Sequence, residues 1–180
     1  AYRAVRSPLL RTDEIDEETG FAVVADKETV DGHKSRLAWV PEMVRAQLKA
    51  YEAHLRALQS GHLHWITIAD RHERVFYLDQ QRHIPIDVRP SSVLAQLATF
   101  LPIPANSHRR LMRNELVSRG CNPEVVDAWM GHWSRGEEPW GEYSTFSYSE
   151  YARELDAHLV PILDQLGFRV IRSPLGAYDD

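Results

Sequence analysis

Residues 106–143, NSHRRLMRNELVSRGCNPEVVDAWMGHWSRGEEPWGEY, carry the punctuation that most restricts how this chain can fold. A helix opening at Ser107 is expected to reach Arg119 and stop at Gly120, because glycine enters the left-handed cap conformation without a Cβ penalty. Asn122 supplies a capping side chain for a second helix. Pro123 suits its first position, where a missing N–H is no loss. That second helix is expected to end at Gly131. The stretch from Trp133 to Thr145 is rich in glycine, proline and charge, and reads as a loop.

The rest of the chain is read around this unit. Phe21–Asp26 has strand character, and Arg36–Val40 is its expected partner, with Asp31-Gly32 as the turn of a β-hairpin. Pro41 is expected to open a helix whose apolar stripe is Val44, Leu48, Tyr51, Leu55 and Leu58. Trp65–Ala69 and Val75–Leu78 read as short strands around a polar turn, and Ser91–Leu101 as helix. Ser147 followed by Glu150 resembles a capping box for a last helix, expected to bend near Pro161. The layout is α+β: mostly helical, with a small antiparallel β-hairpin or sheet. At 180 residues and 43% apolar, the chain has enough material for one core and one compact domain.

Composition narrows the functional classes. No run approaches the roughly 18 apolar residues that span a bilayer, and no signal-peptide pattern is present, so a membrane partner is not expected. Cys121 is the only cysteine, which excludes an internal disulfide and suits a cytoplasmic setting. The net charge of −5 opposes nucleic-acid binding when taken as a total. Charge is unevenly spread, however. Acidic residues crowd 13–18, whereas Arg109, Arg110, Arg113 and Arg119 share one segment, and a local basic face can bind DNA on an acidic protein.

Arg109, Gly120, Gly131-His132 and Tyr143 resemble the HxxR arginine, turn glycine, Gly-His pair and nucleophilic tyrosine of the tyrosine recombinase (phage integrase) family. Tyr2-Arg3 looks like the family's first active-site arginine, and Lys27 is similar to its hairpin lysine about two dozen residues on. Arg36-Leu37 and Val40-Pro41 resemble the second hairpin strand and its proline. The likeness covers nearly the whole chain through short motifs. It implies a tyrosine-recombinase-like catalytic domain over residues 1–180, without the family's N-terminal DNA-clamping domain and the first catalytic-domain helices.

The resemblance also implies a chemistry with neither metal nor nucleotide cofactor. Arg3 and Arg109 would hold the non-bridging oxygens of a DNA phosphate through planar forks and stabilise the pentavalent transition state. Tyr143 would attack phosphorus and form a phosphotyrosyl ester, releasing a 5′-hydroxyl that Lys27 protonates. His132 would hydrogen-bond the phosphate or orient Tyr143. Alternatives stand beside each role: Lys34 for Lys27, Arg110 or Arg113 for Arg109, and Tyr148 or Tyr151 for Tyr143. The two latter tyrosines are expected to pack, being near a helix start. Double-stranded DNA is the implied partner. The segment after Ser147 resembles the helix that family members dock onto a neighbouring protomer, so a homo-oligomer on DNA is implied as well.

Three departures qualify the likeness. Asn106 stands where the family has histidine; it can donate a hydrogen bond to phosphate but cannot shuttle a proton, and His108 is the nearby substitute. Arg6 replaces a common acidic residue, and the interval from His132 to Tyr143 is slightly long. His62, His64, His72 and His83 read as exposed histidines rather than metal ligands, because no cysteine cluster or HExxH helix accompanies them. Trp133 and Trp140 flank the tyrosine loop and are expected to pack it or touch DNA.

Overall fold

Alternation along one hairpin determines which side chains enter the core. A computed structural model describes residues 15–29, 32–61, 76–78, 85–87, 91, 95, 107–133, 139–140 and 144–174. Strand β1 (Phe21–Thr29) pairs antiparallel with β2 (Gly32–Trp39) in the register Phe21↔Trp39, Val24↔Arg36 and Thr29↔Gly32. Ala22 and Val24 are buried while Val23 between them is exposed, the period-two pattern of a strand with one covered face. Across the ladder Ala38 and Arg36 occupy that same covered face. The expected Asp31-Gly32 turn is shifted, since Gly32 already lies in β2 and pairs with Thr29. The register slips between Val24 and Lys27, a bulge-like irregularity that precedes the Lys27↔Lys34 pair.

Helix α1 (Glu42–Gly61) follows at once. Pro41 does not occupy the first helical position but the capping one: its carbonyl accepts from Val44 N and Arg45 N. The expected stripe is real, with Leu55 and Leu58 buried and Val44 and Leu48 packed against the main cluster. Strand β3 (Phe76–Leu78) pairs with β4 (Pro85–Asp87), a partner the sequence pattern did not reveal. The expected strand at 65–69 lies outside the described residues, and of 91–101 only Ser91 and Ala95 are described, both helical.

Helices α2 (Ser107–Ser118) and α3 (Pro123–Met130) form the expected pair, and both end by the same device. After α2, Gly120 at φ +81° donates to Val117 O while Cys121 N donates to Leu116 O. After α3, Gly131 at φ +69° donates to Ala128 O while His132 N donates to Asp127 O. These are paired Schellman bonds, which satisfy carbonyls the helix would leave orphaned. Asn122 Oδ1 accepts from Glu124 N at 2.9 Å and caps α3 as its side chain suggests.

Helix α4 (Tyr148–Gln165) adds four buried side chains to the core. Ser147 Oγ accepts from Glu150 N, the first half of a capping box. Tyr151, Leu155, Leu159 and Ile162 recur at helical spacing and are buried against the hairpin face, Leu116, Cys121 and the α3 residues Val125, Val126 and Met130. The helix carries Pro161 within it on an exposed position, where the lost ladder donor faces away from the core. Beyond α4 the chain returns along α1. The Gln47 side chain donates to Ile171 O and accepts from Ile171 N at 3.1 and 2.7 Å.

Among the described residues, then, four helices and two two-stranded antiparallel sheets give an α+β fold. No helix among them is long and apolar enough to cross a membrane. Because Leu155 is fully buried at the meeting of α3, α4 and the hairpin, Leu155→Ala is expected to lower unfolding stability by about 2–5 kcal/mol. Urea denaturation checks this, and a change near zero would mean that α4 does not pack as described.

Candidate active site

The carboxyl end of α3 gathers the two buried charged side chains found among the described residues, Arg36 and Arg109. Arg109 lies in the first turn of α2, is 4% exposed, and donates from Nη2 to Met130 O at 2.9 Å. Arg36 arrives from β2 at 3% exposure, with its aliphatic stem against Gly131. A Cβ built on Gly131 would stand 3.1 Å from Arg36 Cδ and 3.6 Å from its Nη1. Both cations therefore reach one helix end, where the aligned peptide dipoles concentrate negative partial charge and favour them. Burial of a guanidinium is costly without a partner, and Met130 O supplies one to Arg109.

The Gly-His pair acquires a defined geometry here. Gly131 must be glycine twice over: its φ is left-handed, and the space a side chain would take is filled by Arg36. His132 follows as an exposed residue whose backbone is fixed by its 2.8 Å bond to Asp127 O. His132 is thus an exposed residue that follows directly on the glycine packed against Arg36. Trp133 borders the same glycine, its ring 3.6 Å from the Cβ position.

Neighbouring basic residues behave differently. His108 and Arg110 are exposed on α2. Arg113 approaches Asp127 at 3.6 Å, and Arg119 bonds Glu115 at 3.2 Å as well as Gln165. Arg109 is therefore not a solvated helix-face arginine, while Arg113 and Arg119 have acidic company that dilutes a basic face. Arg3, Asn106 and Tyr143 lie outside the described residues, and Lys27 is described only in its backbone, opposite Lys34.

Two competing tyrosines are accounted for. Tyr151 is 1% exposed and donates its phenol to Leu37 O at 2.8 Å. Burial pushes that phenol far above its usual range, with nearby Arg36 pulling the other way, so it stays protonated and locked. Tyr148 is exposed but stacks on Trp140 with ring centroids 4.6 Å apart. Trp140 also meets Phe146 and Tyr151 edge to face, so it anchors the start of α4 as an aromatic hub. Both tyrosines pack, as their position near a helix start suggested. Cys121 is buried, and its thiol is pushed up to about 11 by burial and then by Glu154, which leaves it a poor nucleophile at neutral pH.

Sequence reasoning saw Arg36 only as part of a hairpin strand. The available signal was alternation: a strand that buries Ala38 must place Arg36 on the same face. No family model, curated protein or solved structure matches the chain, so the functional reading stands on its own residues.

The Arg36 contact can be isolated by comparing two glycines. Gly120→Ala meets open space and bears only left-handed backbone strain, whereas Gly131→Ala bears that strain and also displaces Arg36. Gly120→Ala is expected to cost about 1–2 kcal/mol and Gly131→Ala clearly more. Equal losses in parallel denaturation curves would remove Arg36 from the account of this helix end.

Proposed function

We propose that the chain is the catalytic domain of a tyrosine-type site-specific recombinase, with a tyrosine-recombinase-like fold. It would cleave and rejoin duplex DNA through a 3′-phosphotyrosyl intermediate. The observation that supports this reading is the buried Arg109 bonded to Met130 O, the residue just before Gly131-His132, two motifs 22 residues apart that match the family's spacing. A buried, backbone-anchored guanidinium is preorganised to meet a phosphate, and the exposed imidazole two residues past its Met130 anchor would donate to the same group.

In the proposed reaction the Tyr143 phenol gives up its proton to solvent, its oxygen bonds to phosphorus, and the bond to the 5′-oxygen breaks. Lys27 supplies the proton that the leaving 5′-oxygen takes up. Arg109 and Arg3 stabilise charge on the non-bridging oxygens, with Asn106, His108, Arg110 and Arg113 as additional phosphate contacts. The ester conserves the energy of the broken bond, so the reverse attack by a 5′-hydroxyl reseals the strand without a cofactor. Assembly on DNA is assigned to the C-terminal segment. Leu166 and Ile171 there are 56% and 75% exposed, large apolar groups suited to a neighbouring copy.

A second reading is supported by specific observations: a relative that holds DNA or a recombinase partner without cutting. Asn106 cannot serve as the family's histidine, the net charge is −5, and Arg113 and Arg119 are engaged by Asp127 and Glu115. Binding and cleavage measured separately on a nicked suicide duplex distinguish the two. The recombinase reading predicts a covalent protein–DNA adduct that Tyr143→Phe abolishes while binding persists. Salt-dependent binding with no adduct from the unaltered chain supports the second reading, and an adduct surviving Tyr143→Phe removes that residue from the nucleophile's role.

A further inference from the structure

We propose that Cys121, Glu154 and His158 form a binding site for a zinc-like divalent cation that ties the α2–α3 turn to α4. The thiol sulfur, a carboxylate oxygen and an imidazole nitrogen all lie within 4.8 Å of one another. Ligand atoms around a tetrahedral zinc, at about 2.0–2.3 Å from the metal, stand roughly 3.4–3.6 Å apart. His158 Nε2 and Glu154 Oε1 are 3.5 Å apart, already at the edge length such a site needs.

The supports are of the kind that metal sites use. Glu154 and His158 are four residues apart on one face of α4, so one rigid helix presents both donors. Cys121 comes from the turn that Gly120 and the Cys121 N–Leu116 O bond hold in place. Asn122 N donates to Glu154 Oε1 at 3.0 Å, an outer contact that orients the carboxylate. Access is available from one side, because the His158 and Glu154 side chains are 21% and 38% exposed. Glu154 also lines a cavity of about 360 Å³ between the starts of α3 and α4, which opens the carboxylate to solvent and where Glu124, Glu150 and Arg153 leave a net negative lining.

On binding, the thiol releases its proton to solvent and the metal takes the thiolate, the carboxylate and the neutral imidazole, leaving its fourth position to water. A dication with two anionic ligands makes a site of zero net charge, which a half-buried location tolerates. The consequence is mechanical: a cross-link between segments 33 residues apart in the chain, in a molecule that has no disulfide.

Cobalt(II) gives a direct test, because a thiolate–cobalt bond produces a near-ultraviolet charge-transfer band and the chain has one cysteine to provide it. The full chain, reduced and stripped with chelator, is titrated with cobalt and then with zinc. One equivalent is expected to raise the band, zinc to displace it, and Cys121→Ser to abolish it. Since Cys121 is buried, His158→Gln on the partly exposed helix face is the second variant. It is expected to weaken cobalt affinity at least about tenfold while its circular dichroism is unchanged. A chain that shows no saturable thiolate band, or a band that His158→Gln and Glu154→Gln leave unaltered, overturns the site. Neither outcome depends on whether the chain cuts DNA.

Discussion

A left-handed glycine wedged beneath a buried arginine fixes the end of α3, and the geometry of the candidate site follows from it. Gly131 turns the chain so that His132 emerges into solvent, and only the absence of a Cβ lets the Arg36 stem pass. Arg109 then closes on Met130 O from α2, so helix, hairpin and preceding helix converge within two residues of backbone. Hydrophobic burial on α4 holds the layers together beneath this junction: Tyr151 and Leu155 cover the hairpin face that delivers Arg36. The Tyr151 phenol, bonded to Leu37 O beside Arg36, links that core directly to the charged end.

Electrostatics here is local rather than global. The chain as a whole is acidic, yet two guanidinium groups are taken out of water at one point and compensated by a helix terminus. Exposed arginines on the same surface contribute less, because Asp127 and Glu115 sit within ion-pair distance of Arg113 and Arg119 and such pairs are weak and screened. On the α3 and α4 starts the balance reverses: Glu124, Glu150 and Glu154 outnumber Arg153 in the lining of a shared cavity. One small fold thus separates two charge environments, with the α3 helix running between them.

What the sequence disclosed was mostly what is decided within a few residues. Gly120, Asn122, Pro123 and Gly131 each act on their own helix end, so α2 and α3 were legible almost to the residue. The same holds for Ser147 and for the apolar stripe of α1. Less visible were features made by residues distant in the chain. The β3–β4 pairing depends on a short strand at Pro85–Asp87 with no alternation long enough to register. Arg36 gains its place only when Gly131 folds over it, and the Cys121–Glu154–His158 cluster exists only after α4 docks. The Gly32 position shows the limit of turn rules, since strand pairing takes up a residue that looked like part of the turn.

The central proposal is that Arg109, anchored on Met130 O, and His132, two residues further on, receive a DNA phosphate that a tyrosine attacks. A crystal structure of the full chain with cleaved DNA ends and orthovanadate, which mimics the pentavalent phosphorus, addresses this most directly. The account predicts vanadium bonded to the Tyr143 oxygen, with equatorial oxygens within about 3 Å of Arg109 nitrogens and the His132 ring. Vanadate bound away from α3, or an Arg109 that touches protein groups alone while the ligand is in place, would contradict it.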